Sequence, residues 1–254
     1  EMRNAVRKAK VKTVVCFQQR FNPLFQTIKA LIADDAIGKM YYLETDYQAN
    51  ISGWWSGWED ARKKSTGVSA SLVAGCHGID AFRWLAGPSL DKAGKAVEVF
   101  AYAGGYRKGL TRQYNFVKHQ WEEMPPIEYD DFEIALVKFD NGVLGKVSVN
   151  FGAIMPYGFP VEIFGDKGTI KDNRVFSHKF PGQKDWVTIP TIQPDTVDIG
   201  QQPFKALMCH FAKCVMEDRE SHVNLEDAIN THEIAFAALE CYETRKPVKL
   251  PLID

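Results

Sequence analysis

The segment GCHGIDAFRWLAG, from Gly75 to Gly87, concentrates the residues most able to do chemistry. Gly75 and Gly78 bracket His77 and would let the backbone approach a bound molecule closely, because neither carries a Cβ. His77 stands where a helical pattern restarts, and the positive end of a helix disfavours an imidazolium. The ring is therefore expected to stay neutral, as a base or as a hydrogen-bond partner, though on residue chemistry alone a structural histidine is the favoured reading. Asp80, three residues on, reads as a partner for Arg83 or a cap for a backbone turn.

The other reactive side chains give weaker signals. His232 falls on the apolar stripe of the last helix and reads as a core histidine with its hydrogen bonds satisfied. His210 and Cys214 stand four residues apart, with Cys209 beside them, but no second ligand cluster accompanies them, and no metal site is expected. Trp54, Trp55 and Trp58 could stack on a sugar face or pack at a subunit contact, while Glu59, Asp60 and the run Arg62 to Lys64 read as a solvated loop. There is no nucleophile elbow, and the neighbours Cys76 and His77 diverge too far to act as a dyad. Neither GxGxxG nor GxxxxGK[ST] occurs, so no phosphate cradle is recognisable.

What must position these residues follows from hydropathy patterning. Asn22-Pro23 is a helix start, followed by the stripe Leu24, Ile28, Leu31 and Ile32; KMYYLETDYQAN reads as a strand and residues 50 to 67 as a long loop. From Gly87 to about residue 195 the period is two: AVEVFAYA, IEYDDFEIALVKF, GVLGKVSVNF, FPVEIFG, GTIKD, RVFSHKF and WVTIP are strand-like, with turns at Asn141-Gly142 and at Asp166-Lys167-Gly168. Two helices close the chain, the first with Phe204, Leu207, Met208, Phe211 and Val215 on its stripe. The second, capped by Asn224, carries Leu225, Ala228, Ile229, Ala235, Phe236 and Leu239. The order implies an α+β domain, residues 1–254, with a large mainly antiparallel sheet and helices on one face.

Composition bounds the function. The 254 residues carry 31 Lys and Arg against 32 Asp and Glu, a balance that excludes the basic footprint of a nucleic-acid binder. No apolar run reaches the roughly 18 residues of a membrane span. Five scattered cysteines without a CxxC pair point to reduced thiols and a cytoplasmic setting. The opening EMRNAVRKAK lacks an initiator Met and already repeats at helical spacing, which suggests a preceding segment.

Five segments, in order, resemble the Gfo/Idh/MocA family of glucose-fructose oxidoreductase and inositol dehydrogenase-like enzymes: VVCFQQRFNP, AIGKMYYLETD, GCHGIDAFRWLAG, VEIFGDKGTI and THEIAFAALECYETRKPVKLP. The resemblance implies that this chain is the C-terminal, substrate-binding and oligomerising domain, with residues 1–20 as the join to an N-terminal Rossmann domain outside it. It implies NAD or NADP as cofactor, held mainly by that other domain. A sugar, polyol or related hydroxyl compound is the implied substrate, and a homo-oligomer formed through the open sheet face is the implied assembly. By the same resemblance His77 is catalytic, and Tyr157, Asn50 and Arg20 reach substrate. The family pattern Asp-x-x-x-His has Val73 at its Asp position here, so the group that would orient the imidazole is lost. Two rivals therefore stand beside the dehydrogenase: a redox-neutral, NAD-dependent sugar hydrolase or lyase, and a non-catalytic sugar-binding or scaffold domain.

Overall fold

The computed structural model describes residues 1–51, 58–115, 118–191 and 203–252, with Trp58 described by its backbone alone. Trp54 and Trp55 lie outside the described residues. Helix α1 (Met2–Ala9) buries none of its residues, and a 3₁₀ turn, Gln18–Phe21, leads into α2 (Pro23–Ala33). The Asn22 side chain accepts from the Leu24 amide at 3.0 Å with Pro23 in the first turn, as the dipeptide implied. Strand β1 (Met40–Gln48) follows, then α3 (Trp58–Ala61), a π turn at Ser71–Gly75 and α4 (Cys76–Leu85).

The strands are β2 (Ala96–Gly104), β3 (Arg112–Asn115), β4 (Gln120–Glu123), β5 (Phe132–Phe139), β6 (Leu144–Asn150), β7 (Val161–Gly165), β8 (Gly168–Lys171), β9 (Arg174–Ser177) and β10 (Val187–Thr188). Helices α5 (Phe204–Met216) and α6 (Leu225–Thr244) and strand β11 (Val248–Lys249) end the chain. Nine strands form one sheet in the order β10-β9-β8-β7-β1-β6-β5-β2-β11, and β3-β4 is a separate ribbon that periodicity did not reveal. Every neighbouring pair in the sheet is antiparallel except β1 and β6, which run parallel with Tyr42 opposite Leu144 and Gln48 opposite Asn150.

One face of the sheet lies under α4 and α6, whose inward residues join Leu43, Val99, Val137, Val147 and Ile163 in the main core. On the opposite face, Tyr102, Leu136 and Leu144 are 63%, 54% and 53% exposed. Side chains on a strand alternate between faces, so the same alternation that filled the core displays this second set.

Two helical stripes differ from expectation. On α5 only Leu207 and Cys214 are buried, while Met208 is 57% exposed and Val215 52%. On α6 the buried set is Ala228, Thr231, Ile234, Ala235, Ala238 and their neighbours, and Phe236 turns outward. Small residues win the inner face of α6 because it lies close to β2. The Asn224 cap accepts from the Asp227 amide at 2.9 Å, as expected. The Asp166-Lys167-Gly168 hairpin needs its glycine for space rather than for positive φ: a Cβ on Gly168 would come within 2.6 Å of the Phe176 carbonyl oxygen.

Candidate functional site

The segment from residue 70 to 85 lies so close to the sheet that its two glycines face strand side chains. A Cβ on Gly75 would stand 2.3 Å from Val149 Cγ2, and one on Gly78 3.0 Å from Tyr47 Cβ. The glycines thus serve the packing of this helix on β6 and β1 rather than the approach of a ligand, a correction to the sequence reading.

Glu133, on β5 beneath the start of the segment, is a buried carboxylate that accepts from the Ala70 amide at 2.9 Å, the Ser71 amide at 3.2 Å, the Ser71 hydroxyl and the Tyr242 hydroxyl at 3.2 Å. Burial pushes this carboxyl up, and its donors from Ser71 and Tyr242 pull it back. It satisfies amides that a helix start leaves free and holds the wide π turn that ends one residue before Cys76.

His77 follows in the first turn of α4. Its ring meets Phe17 edge-on, with centroids 6.0 Å apart, and the other side of the site is set by His232, whose ring lies 5.7 Å from the same Phe17. Burial lowers the His77 imidazole to about 4, opposed by the charge of Asp80 and assisted by His232, so the ring is neutral at pH 7. Its Nδ1 is buried with no hydrogen-bond partner among the described residues. Val73 packs against the main core and offers that nitrogen nothing.

Tyr157 and Asn50 come to the same end of the sheet. Tyr47, near the carboxyl end of β1 and under Gly78, packs edge-on against Tyr157 at 5.7 Å. Burial raises the Tyr47 phenol well above its usual range, and its hydrogen bond with Tyr157 adds to the shift. Asn50 stands just beyond β1, its amide donating to the Ala153 carbonyl at 3.2 Å. Tyr47 thus links the Tyr157 ring to the α4 backbone one residue after His77, and Phe159 packs edge-on against both tyrosine rings.

Arg20 does not join them, which corrects its expected role at the substrate. Its side chain is 0% exposed, with Nε donating to Asp80 Oδ2 at 2.7 Å, Nη2 bonded to Asp80 and Asp227, and Nη1 donating to the His222 carbonyl at 2.8 Å. Asp80 takes Arg20 as its main partner and the Thr231 hydroxyl at 2.9 Å; Arg83 stands 3.9 Å away and pairs instead with Asp227. Burial would raise the Asp227 carboxyl, but Arg83 and Arg20 hold it below the usual range. Two arginines and two aspartates thus tie the turn at Gln18–Phe21, α4 and α6 into one neutral interior knot.

Lys29 and Arg62 are further charged residues that the sequence reading missed or misplaced. Lys29 is buried and spends its ammonium on the carbonyls of Trp84, Leu85 and Gly87 at the end of α4. Its one legible signal was a lysine set between the apolar Ile28 and Leu31. Arg62, expected in a solvated loop, is 7% exposed and donates to the Pro125 carbonyl at 2.7 Å. His210 contacts Ser221 Oγ at 3.0 Å and Cys214 Sγ at 3.4 Å, and among the described residues no group of three or more His, Cys, Asp or Glu is placed to hold a metal.

The model of the oxidoreductase family, C-terminal alpha/beta domain (Gfo/Idh/MocA), matches residues 29–250. The chain belongs to the Gfo/Idh/MocA oxidoreductase family. It is 23% identical over 206 residues to the uncharacterized oxidoreductase sll0816 of Synechocystis sp., covering 75% of this chain and 52% of that protein. It is 25% identical over 264 residues to scyllo-inositol 2-dehydrogenase (NAD(+)) of Bacillus subtilis, covering 98% of this chain and 67% of the relative. The chain thus spans about half to two thirds of the length of these relatives. In fold it is similar to levoglucosan dehydrogenase in complex with NADH and L-sorbose (TM-score 0.78, 21% identity, 99% of this chain and 69% of that one). It is likewise similar to the WlbA dehydrogenase of Bordetella pertussis in complex with NADH and UDP-GlcNAcA (TM-score 0.68, 19% identity, 99% and 68%).

The described residues do not fit a dinucleotide. Only β1 and β6 are parallel, and no glycine-rich turn leads from a strand into a helix N-terminus, the arrangement that holds a pyrophosphate. Among the described residues no helix is long and apolar enough to cross a membrane.

Proposed function

We propose that this chain is the substrate-binding part of an NAD(P)-dependent oxidoreductase acting on a sugar, polyol or related hydroxyl compound, with the cofactor held mainly by a nucleotide-binding domain outside these residues. The observation that supports the reading is that His77, neutral at pH 7, opens α4 one residue before Gly78, under which Tyr47 packs against the Tyr157 ring. The molecules bound in the similar structures, L-sorbose and UDP-GlcNAcA, support the class.

In this reading His77 hydrogen-bonds the reacting hydroxyl, Tyr157 is steadied by Tyr47 and bonds a neighbouring hydroxyl, and Asn50 borders the same cleft. The Arg20–Asp80 knot and Glu133 keep α4 in place while the site works. The open sheet face, with Tyr102, Leu136 and Leu144 outward, fits self-association into a homo-oligomer.

One observation favours a second reading. Val73 leaves His77 without an orienting carboxylate, which suits a redox-neutral hydrolase or lyase of the same family. Incubating the protein from its intact gene with NAD or NADP and a panel of sugars and cyclitols, while following reduced nicotinamide by absorbance, separates the two. Net reduction of cofactor supports the dehydrogenase. Product formed with no net reduction supports the alternative, and neither with any hydroxyl compound overturns both.

A further inference from the structure

In the sheet β1 lies between β6, which runs parallel to it, and β7, which runs antiparallel, so the connection from β6 to β7 passes over the carboxyl end of β1. Both limbs of this arch are joined to that end. Gly152 forms a bridge with Asn50, and Gly158 exchanges two backbone hydrogen bonds with Gln48, at 3.0 and 3.1 Å. Between the limbs Ile154, Met155 and Pro156 are exposed, Ile154 by 71%, and Tyr157 then sets its ring against Tyr47. Three exposed residues bury too little to fix a path, so the arch keeps its place through the bonds at its limbs.

Side chains hold the first limb from two directions. Asn50 donates to the Ala153 carbonyl at 3.2 Å, and the Tyr106 hydroxyl donates to the Gly152 carbonyl at 3.2 Å. The Tyr106 ring is 56% exposed and lies so near the limb that a Cβ on Gly152 would stand 2.8 Å from its Cε1. Behind it stands Arg107, 3% exposed, with Nε donating to the Tyr106 hydroxyl at 3.2 Å and Nη1 donating to Gln113 Oε1 at 3.0 Å. A guanidinium can only donate and a carbonyl can only accept, so the direction of the relay is forced, and the cation strengthens the bond that the phenol gives. Gln113 belongs to β3, so the β3-β4 ribbon anchors the relay. Asp131 ties the two chains at their base: its carboxylate accepts from the Arg107 amide at 3.0 Å and its carbonyl from the Phe151 amide at 2.8 Å.

We propose that Tyr106, braced by Arg107, and Asn50 are positioning residues of the site: together they fix the arch that carries Tyr157, so that a substrate meets it already in its binding position. The role in the site rests on the function proposed above; the brace does not. Freed from either bond, the arch samples other positions, and the apparent affinity falls with the fraction of molecules that hold the competent one. That loss raises KM and leaves kcat in place. Asn50 then acts on the arch rather than on the substrate.

Hydrogen–deuterium exchange with mass spectrometry on the protein from its intact gene reads the brace directly. Tyr106→Phe removes one hydroxyl from an exposed ring and should stay folded. Peptides covering residues 151–158 should exchange about tenfold faster in it, the worth of one hydrogen bond, while peptides of β5 and β6 keep their protection. Unchanged exchange over 151–158 overturns the brace, whatever the enzyme does. With the substrate found by the cofactor assay, Tyr106→Phe and Asn50→Ala should each raise KM about tenfold with kcat within about twofold. The double variant should be little worse than either, because both bonds hold one segment. Faster exchange with an unchanged KM overturns the role in the site and leaves the oxidoreductase reading standing. A double variant whose KM is raised by the product of the two single effects overturns the assignment of Asn50 to the arch.

Discussion

Arg20 and Asp80 meet side by side in the interior, Nε to Oδ2 at 2.7 Å, with the two side chains 0% and 1% exposed. A pair so placed fixes geometry more than it adds stability, because both charges have given up water and regain it only through each other. It binds the turn that carries Phe17 to the helix that carries His77, and through Asp227 and Thr231 it reaches the helix that carries His232.

Arg20→Ala strands Asp80 without its main partner and should cost about 3–5 kcal/mol, the usual penalty for breaking a buried pair. Arg20→Lys keeps the charge but loses the planar fork and should fall between. Urea denaturation of the three proteins measures this. A loss under about 1 kcal/mol in Arg20→Ala would show that water replaces the guanidinium.

Acid should weaken the fold before it protonates the native histidines. Burial lowers His77 to about 4, and burial with the neighbouring charge of Arg20 lowers His222 to about 4. An unfolded histidine takes a proton near 6.5, so between about 6.5 and 4 the unfolded chain binds more protons and stability falls as pH falls. Each ring contributes a slope of at most about 1.4 kcal/mol per pH unit. Denaturation curves across this window should flatten in His77→Gln and His222→Gln.

Gly75→Ala and Gly78→Ala should separate packing from function. The first puts a Cβ 2.3 Å from Val149 Cγ2 and should cost about 1–3 kcal/mol through overpacking. The second meets Tyr47 Cβ at 3.0 Å, which a shift of a few tenths of an ångström relieves. It should stay folded while displacing His77, so thermal melts should show a small change and the cofactor assay a larger one.

Val73→Asp restores an acceptor one turn before His77. A hydrogen on Nδ1 should donate to the new carboxylate and the ring should rise from about 4 toward its ordinary value, because an adjacent carboxylate favours the charged form. The pH profile of turnover should shift with it. A folded variant whose His77 still titrates near 4 by NMR would place residue 73 out of reach of the ring.

The open face predicts association. Leu136→Lys and Leu144→Lys add charge to outward apolar positions on neighbouring β5 and β6 and should dissociate any oligomer formed there. Sedimentation velocity of the parent and the double variant decides it, and an assembly unchanged by both lysines would locate the contact elsewhere.

Local chemistry made part of this protein legible from its sequence alone. Asn22 and Asn224 announced two helix starts because a short side chain can reach amides two or three residues ahead. Alternation along Val99, Ala101, Val137 and Val147 announced the sheet, because only one face of each strand could be core. The order of five motifs carried the family. Tertiary structure decided the rest. Arg20 stood within a family motif yet turned inward, because its partners Asp80 and Asp227 lie 60 and 207 residues away. Glu133 and His232 carried no local sign of their contacts, since each is defined by groups on another element: the start of the π turn and the ring of Phe17. The pairing of β1 with β6 was hidden for the same reason: periodicity reports which face of a strand is buried and is silent on which strand lies beside it.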